Sequence, residues 1–145
     1  MKDAVAVVEQ AHGAVGVLVN NAGYGSEGVL EELGMDEIRR QFDTNVFGLI
    51  RMTQLCLPGM RQQGWGKIVN LSSMGGRMVL PGGSIYHATK YAVEALSDAL
   101  RFEVGGFGVD VVIIEPGPIK SEFGSTALSK VEAVDNKQAA YDEFR

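Results

Sequence analysis

The sequence predicts a parallel α/β sheet, and two observations carry that prediction. Three short, mainly apolar runs, 15–19 (VGVLV), 67–71 (KIVNL) and 109–114 (VDVVII), alternate with segments of helical periodicity in the order helix, strand, helix, strand, helix, strand. Each run breaks off into polar, glycine- or proline-rich sequence (NNAG, SSMGG and EPGP), and strand ends of this kind are where α/β sheets place their chemistry.

Taken in order, residues 2–12 (KDAVAVVEQAH) read as a short helix that Gly13 ends. The run 15–19 is continuously apolar, as expected of a strand covered on both faces. Gly23, Gly25 and Gly28 then spell G-x-G-x-x-G, with Asp43 twenty residues beyond the first glycine. That fingerprint needs a helix opening at its glycines and a second strand carrying the acid. Here 29–34 is a broken segment and Asp43 lies inside a helical pattern, so a flexible glycine loop beside a pocket is the stronger reading.

From Asp36 to about Leu57, Ile38, Phe42, Val46, Leu49, Ile50, Thr53 and Leu57 mark one helix face. Asp36 is a cap or first-turn acid, and Pro58 is expected to kink or end the helix before Gly64. Asn45 is out of place in a helix interior and is read as solvent-facing or locally bent, unless it has a site role. Trp65, between two glycines, packs at a turn. Residues 86–104 form a second long amphipathic helix, terminated by Gly105, Gly106 and Gly108. The tail 121–145 shows no strand and reads as a flap or helix pair.

With 145 residues, 46% hydrophobic and 21% charged, the chain fits one globular domain with a sizeable core. A net charge of −5 argues against nucleic acid or an anionic membrane as main partner. Residues 1–20 carry Glu9 and His12 within their apolar run, which fits neither a signal peptide nor a membrane span. Cys56 is the only cysteine; it permits no internal disulfide, suits a reducing cytoplasm and reads as a buried structural thiol. His12 and His87 have no partners at metal or triad spacing and read as structural, with His87 pointing away from Tyr86; no metal site is expected. Tyr91 and Met52 read as packing residues.

The informative stretch is 67–90, KIVNLSSMGGRMVLPGGSIYHATK. Tyr86 and Lys90, four apart, share one helix face near the end of the preceding strand, from which Ser72 and Ser73 emerge. A free phenol has a pKa of about 10, and acid–base work near neutrality asks for a shift of roughly three units. A nearby ammonium can supply it by favouring the phenolate. A serine can hold a substrate oxygen meanwhile, which suits proton transfer coupled to hydride transfer at a carbonyl or alcohol carbon. Ser72 reads as a strand-end hydrogen-bonder and Ser73 as the substrate contact. Tyr24, Met74, Met78, Val79, Leu80 and Phe123 flank the site and suggest an apolar substrate.

Y-x-x-x-K alone is a weak signal, but NNAG, Asn45, NLSS, YHATK thirteen residues after Ser73, and EPGPI occur in order. That set resembles the short-chain dehydrogenase/reductase family over nearly the whole chain to about Phe123. The resemblance implies a partial Rossmann-like doubly wound parallel sheet and an NAD(P)-dependent oxidoreductase interconverting an alcohol and a ketone or aldehyde. It implies Tyr86 as catalytic acid/base and Lys90 as the group that lowers its pKa and binds the nicotinamide ribose. Ser73 would position the substrate oxygen, and Asn45 would hold a water in a relay to Lys90. Asn20, Asn21, Ala22 and Gly23 would line the cofactor cleft, with Pro116, Gly117 and Ile119 beside the nicotinamide. Ser121 stands where the family motif often has threonine and keeps the hydroxyl. A homo-oligomer through the helices bearing Asn45 and Tyr86 is implied as well.

In the family a strand, a Gly-rich turn and a helix precede what is seen here, and a further helix and strand follow. The expectation is therefore one partial domain over 1–145 with the first βαβ unit absent, 121–145 as substrate flap, an unpaired apolar edge at 15–19, and poor stability as a lone monomer. A non-catalytic fragment acting as an interaction module, or an epimerase or lyase on the same scaffold, remain as alternatives.

Overall fold

A computed structural model describes residues 1–119 and 139–143. The elements are α1 (Lys2–His12), β1 (Val17–Asn20), α2 (Met35–Phe42), α3 (Gly48–Gln63), β2 (Gly66–Leu71), α4 (Ser84–Val104) and β3 (Val109–Ile114). Short 3-10 turns lie at Leu30–Glu32, Met74–Gly76, Gly105–Phe107 and Ala139–Tyr141. The three strands pair in parallel in the order β1-β2-β3, with Leu18 opposite Ile68 and Ile68 opposite Val111. The fold is a partial Rossmann-like sheet, as expected. None of the described helices is long and apolar enough to cross a membrane.

β1 is not covered on both faces. Leu18, Ile68 and Val111 are buried with Val5, Cys56, Met60, Val104 and Val109, under α1, α3 and α4. On the opposite face Val17, Val19, Val112 and Ile114 are 53, 54, 41 and 43% exposed. The reason is topological. Right-handed crossovers between strands laid down in one direction put every helix on the same face, and coverage of both faces needs a reversal of strand order. Among the described residues there is none.

Two helical expectations change in detail. Pro58 lies inside α3 without ending it; the helix stops at Gly64, whose φ of 78° suits glycine and whose N–H closes onto the Met60 and Arg61 carbonyls. The irregularity falls instead at Asp43–Phe47, one π-helical turn joining α2 to α3. Asn45 sits in it, locally bent as one reading had it, but buried. Asp36 is a first-turn acid of α2, 3.2 Å from Arg39, and the N-cap position is Gly34. Met52 packs against the core, whereas Tyr91, expected to pack, is exposed. Most of the expected flap, with Ser121 and Phe123, lies outside the described residues.

Polar side chains run through the helix-covered core. Asn20 donates to Asn70 (2.9 Å) and Thr53 (3.3 Å); Asn70 donates to Ser97 (2.9 Å), which donates to the Val93 carbonyl (2.6 Å). This chain links β1, β2, α3 and α4 just below the strand ends. Each amide is satisfied by the next, so removing one strands its neighbours. Asn70→Ala is expected to lower the unfolding free energy by roughly 2–4 kcal/mol in urea denaturation. Lys67→Ala, which removes the exposed pair with Asp110, is expected to change it by less than about 1 kcal/mol. Equal losses in the two variants contradict the assignment.

Candidate active site

Parallel strands deliver their carboxyl ends to one edge of the sheet, and the next helices start there. Beyond β2 and β3 the chain stays in register: the Ser72 N–H donates to the Ile114 carbonyl (2.8 Å) and the Met74 N–H to the Pro116 carbonyl (3.0 Å). SSMGG and EPGP are thereby drawn together. Lys90 ties α4 to the same edge, its Nζ donating to the Leu71 carbonyl at 2.8 Å. One turn earlier Tyr86 reaches Ser73, and their hydroxyls hydrogen-bond. The Ser73 Oγ also accepts from the Gly75 N–H (3.0 Å), which fixes the serine at the start of the Met74–Gly76 turn.

Asn45 completes the arrangement from the π-helical turn. Its amide donates to the Tyr24 carbonyl (2.8 Å) and to Thr89 Oγ1 (3.0 Å), and its oxygen accepts from the Tyr24 N–H (3.0 Å). Thr89 in turn donates to the Tyr86 carbonyl (2.7 Å). Asn45 therefore holds the glycine loop and α4 at once. A side chain on Gly23 would begin 3.2 Å from Asn45 Oδ1 and 3.6 Å from Lys90 Nζ, so the glycine leaves both atoms open to one point.

The electrostatics depart from expectation. Tyr86 is pushed up from its ordinary value by burial, with the Ser73 hydrogen bond pulling only partly the other way. The ammonium of Lys90 lies 5.7 Å from the phenol ring centroid and is spent on the Leu71 carbonyl. Burial lowers Lys90 itself to about 8, against the opposing pull of Glu94. Burial, and not the Lys90 ammonium, sets the direction of the Tyr86 shift, and that direction favours the neutral phenol.

Ser73, Tyr86 and His87 face a cleft of about 300 Å³ with Met74, Met78 and Leu80 as apolar wall and Glu27 on the glycine loop. Val79 is 61% exposed and takes no part in the lining. His87 does not point away: it is buried beside Tyr86, its ring bonded to Gly75 and Leu80. Asn20 turns its amide down into the core, whereas Asn21, Ala22, Gly23, Gly117 and Ile119 are exposed at the strand ends and Pro116 is half-buried. Ser72 bonds at the strand end through its backbone. No helix opens at Gly23, Gly25 and Gly28, which stay irregular as a loop beside the pocket.

Sequence reasoning passed over Thr89, Arg77 and Glu94. No local pattern in the sequence marks Thr89 as a partner of Asn45, 44 residues away. Arg77, 3.1 Å from Glu94 and 2.9 Å from Glu115, pins the loop after Ser73 to α4 and to the end of β3; nothing local in the sequence signals that pairing.

The short chain dehydrogenase profile matches residues 1–132. The chain belongs to the short-chain dehydrogenase family. Among short-chain dehydrogenase relatives, the NADPH-dependent 3-dehydrocapnine reductase of Ornithobacterium rhinotracheale is 44% identical over 131 residues, covering 84% of this chain and 46% of that protein. A short-chain dehydrogenase from Streptomyces avermitilis superposes with a TM-score of 0.80 at 45% identity, over 82% of this chain and 45% of that one. A gluconate 5-dehydrogenase from Burkholderia cenocepacia, solved with NADP and tartrate, gives 0.83 at 25% identity, over 99% of this chain and 53% of that one. The chain spans about half the length of the curated relatives it matches.

Lys90 supplies a pH test of the site's geometry. Its folded pKa, about 8, lies below the ordinary 10.5, so between those values the folded state binds less proton than the unfolded one. Stability owed to this residue therefore rises with pH across that window. Wild type minus Lys90→Met, followed by urea denaturation from pH 7 to 10, is expected to show the wild type gaining as pH increases. A flat difference contradicts a buried Lys90.

Proposed function

We propose that this chain carries the proton-handling half of an NAD(P)-dependent oxidoreductase that interconverts an alcohol and a ketone or aldehyde. The observation that carries the reading is the hydrogen-bonded Ser73–Tyr86 pair at the mouth of the cleft with Lys90 behind it on the same helix face. The proposed catalytic residues are Tyr86 and Ser73, with Lys90 and Asn45 supporting them.

The residues present suit a nicotinamide dinucleotide. Gly23, lacking a side chain, leaves Lys90 Nζ and Asn45 Oδ1 open to a ribose hydroxyl, and the exposed residues Asn21, Ala22, Gly117 and Ile119 border the same edge. A relative named as NADPH-dependent and a neighbour solved with NADP support this cofactor class. When bound, such a cofactor gives or takes a hydride at the substrate carbon.

In the reducing direction a substrate carbonyl oxygen accepts hydrogen bonds from Ser73 and Tyr86. Tyr86, held neutral by burial, carries the proton that the oxygen needs as its negative charge develops. Lys90, charged below about pH 8, together with the second lone pair of Asn45 Oδ1, holds a water through which Tyr86 is reprotonated. Met74, Met78 and Leu80 take an apolar substituent of the carbonyl compound.

Self-association through α3 and α4 belongs to the same proposal. Phe47, closing the π-helical turn just before α3, and Tyr91 and Phe102 on α4 are 56, 44 and 90% exposed, and these are the apolar side chains such an interface would cover. A reducing cytoplasm as the compartment rests on the buried, unpaired thiol of Cys56.

Tyr86→Phe is expected to lower kcat/KM for carbonyl reduction about 10²- to 10⁴-fold while leaving nucleotide affinity unchanged. Retention of rate within about threefold contradicts Tyr86 as proton donor. Phe102→Glu is expected to shift the chain to a smaller species in sedimentation velocity. A wild-type chain that is monomeric at every concentration contradicts the interface.

A further inference from the structure

One wall of the cleft that Tyr86 lines is the segment from Gly75 to Gly83, which carries Met78, Leu80 and Pro81. It has little regular structure of its own: one 3-10 turn at its start and a turn closed by the Gly83 N–H on the Leu80 carbonyl at 3.2 Å. Such a segment takes one position only if contacts from outside hold it.

Arg77, paired with Glu94 and Glu115, is one such hold, and the imidazole of His87, 6% exposed, is another. Nδ1 lies 2.9 Å from the Gly75 carbonyl oxygen, and the Leu80 N–H donates to Nε2 at 3.0 Å. A backbone N–H can only donate, so Nε2 must be the bare nitrogen, and Nδ1 carries the proton that Gly75 accepts. The opposite tautomer would set N–H against N–H at Leu80 and lone pair against lone pair at Gly75. The imidazolium would lose the Leu80 bond.

The two glycines make room for the ring. A side chain on Gly75 would start 2.8 Å from Nδ1, and one on Gly83 would start 2.6 Å from Nε2. The Gly28 N–H, donating to the Gly82 carbonyl at 2.7 Å, ties the same segment to the glycine loop.

We propose that His87 is a positioning residue: as the neutral Nδ1–H tautomer it staples Gly75 and Leu80 of the 75–83 segment to the start of α4, and so sets the wall that lines the cleft with Ser73 and Tyr86. The staple is independent of the proton chemistry. Only its consequence for placing a carbonyl substrate rests on the function proposed above.

The test uses the 145-residue chain labelled with ¹⁵N-histidine. Long-range proton–nitrogen correlation is expected to show His87 with a bare Nε2 and a protonated Nδ1, while His12, which is exposed, averages between tautomers. Amide exchange at Leu80 is expected to quicken about five- to tenfold in His87→Ala. In His87→Gln, whose amide oxygen can accept from Leu80, it is expected to return towards wild type. A protonated Nε2, tautomer averaging at His87 like that at His12, unchanged Leu80 exchange in His87→Ala, or no recovery in His87→Gln each overturns the proposal. If His87→Ala does not fold, the wild-type spectrum and His87→Gln still decide. In a reductase assay run with NADH and with NADPH, His87→Ala is expected to raise KM for the carbonyl compound and leave KM for the cofactor that supports turnover unchanged. Loss of the proton chemistry with a normal His87 spectrum would count against the function and leave the staple standing.

Discussion

Buried amides govern this structure. A side-chain amide taken from water into an apolar core needs its partners, and each missing one costs about 1–3 kcal/mol. Asn20, Asn45 and Asn70 are all buried, and their partners lie on different elements. Asn70 sees β1 and α4, and Asn45 sees the glycine loop and α4. Few relative placements of strand and helix satisfy all of them together. Hydrophobic burial brings α3 and α4 onto the sheet without choosing their exact seat; the amides choose it. Tyr86 and Lys90 inherit their positions from that choice, because Thr89 between them is itself one of Asn45's partners.

The site so built holds its phenol neutral. Desolvation favours the uncharged form of a tyrosine, and here it outweighs the neighbouring hydroxyl. The ammonium, which spacing alone would aim at the phenol, is drawn to the nearest carbonyl at the end of β2. Spacing of four along a helix places two side chains on one face, but it does not say which acceptor a flexible four-carbon stem will find. A neutral buried phenol is the right state for giving a proton to an oxygen that is gaining charge.

Much of this was readable from residue order. The three strands, α1, α4 and the convergence of Ser73, Tyr86 and Lys90 followed from apolar runs, helical period and turn residues. What escaped was set by tertiary partners. Asn45 was conspicuous as a poor helix residue, yet the π-helical turn that buries it answers to Tyr24 and Thr89, which no local pattern announces. Asn20 looked like cleft lining because it stands at a strand end, whereas strand alternation turns it inward with Leu18. His87 was set aside for want of a charged or metal partner, but its partners are backbone groups, which are silent in a sequence. The open face of β1 follows from strand order, a property of the sheet and not of the run 15–19.

The proposed proton transfer depends on Tyr86 being a buried, neutral phenol beside Ser73. Its ionisation can be read directly from the ¹³Cζ resonance of specifically labelled tyrosine, with Tyr86→Phe assigning the signal. The predicted result is a Tyr86 resonance that stays in its protonated form through neutral pH and titrates above the ordinary value of 10.0. A Tyr86 that ionises below that value would mean that an opposing charge, and not burial, governs the phenol.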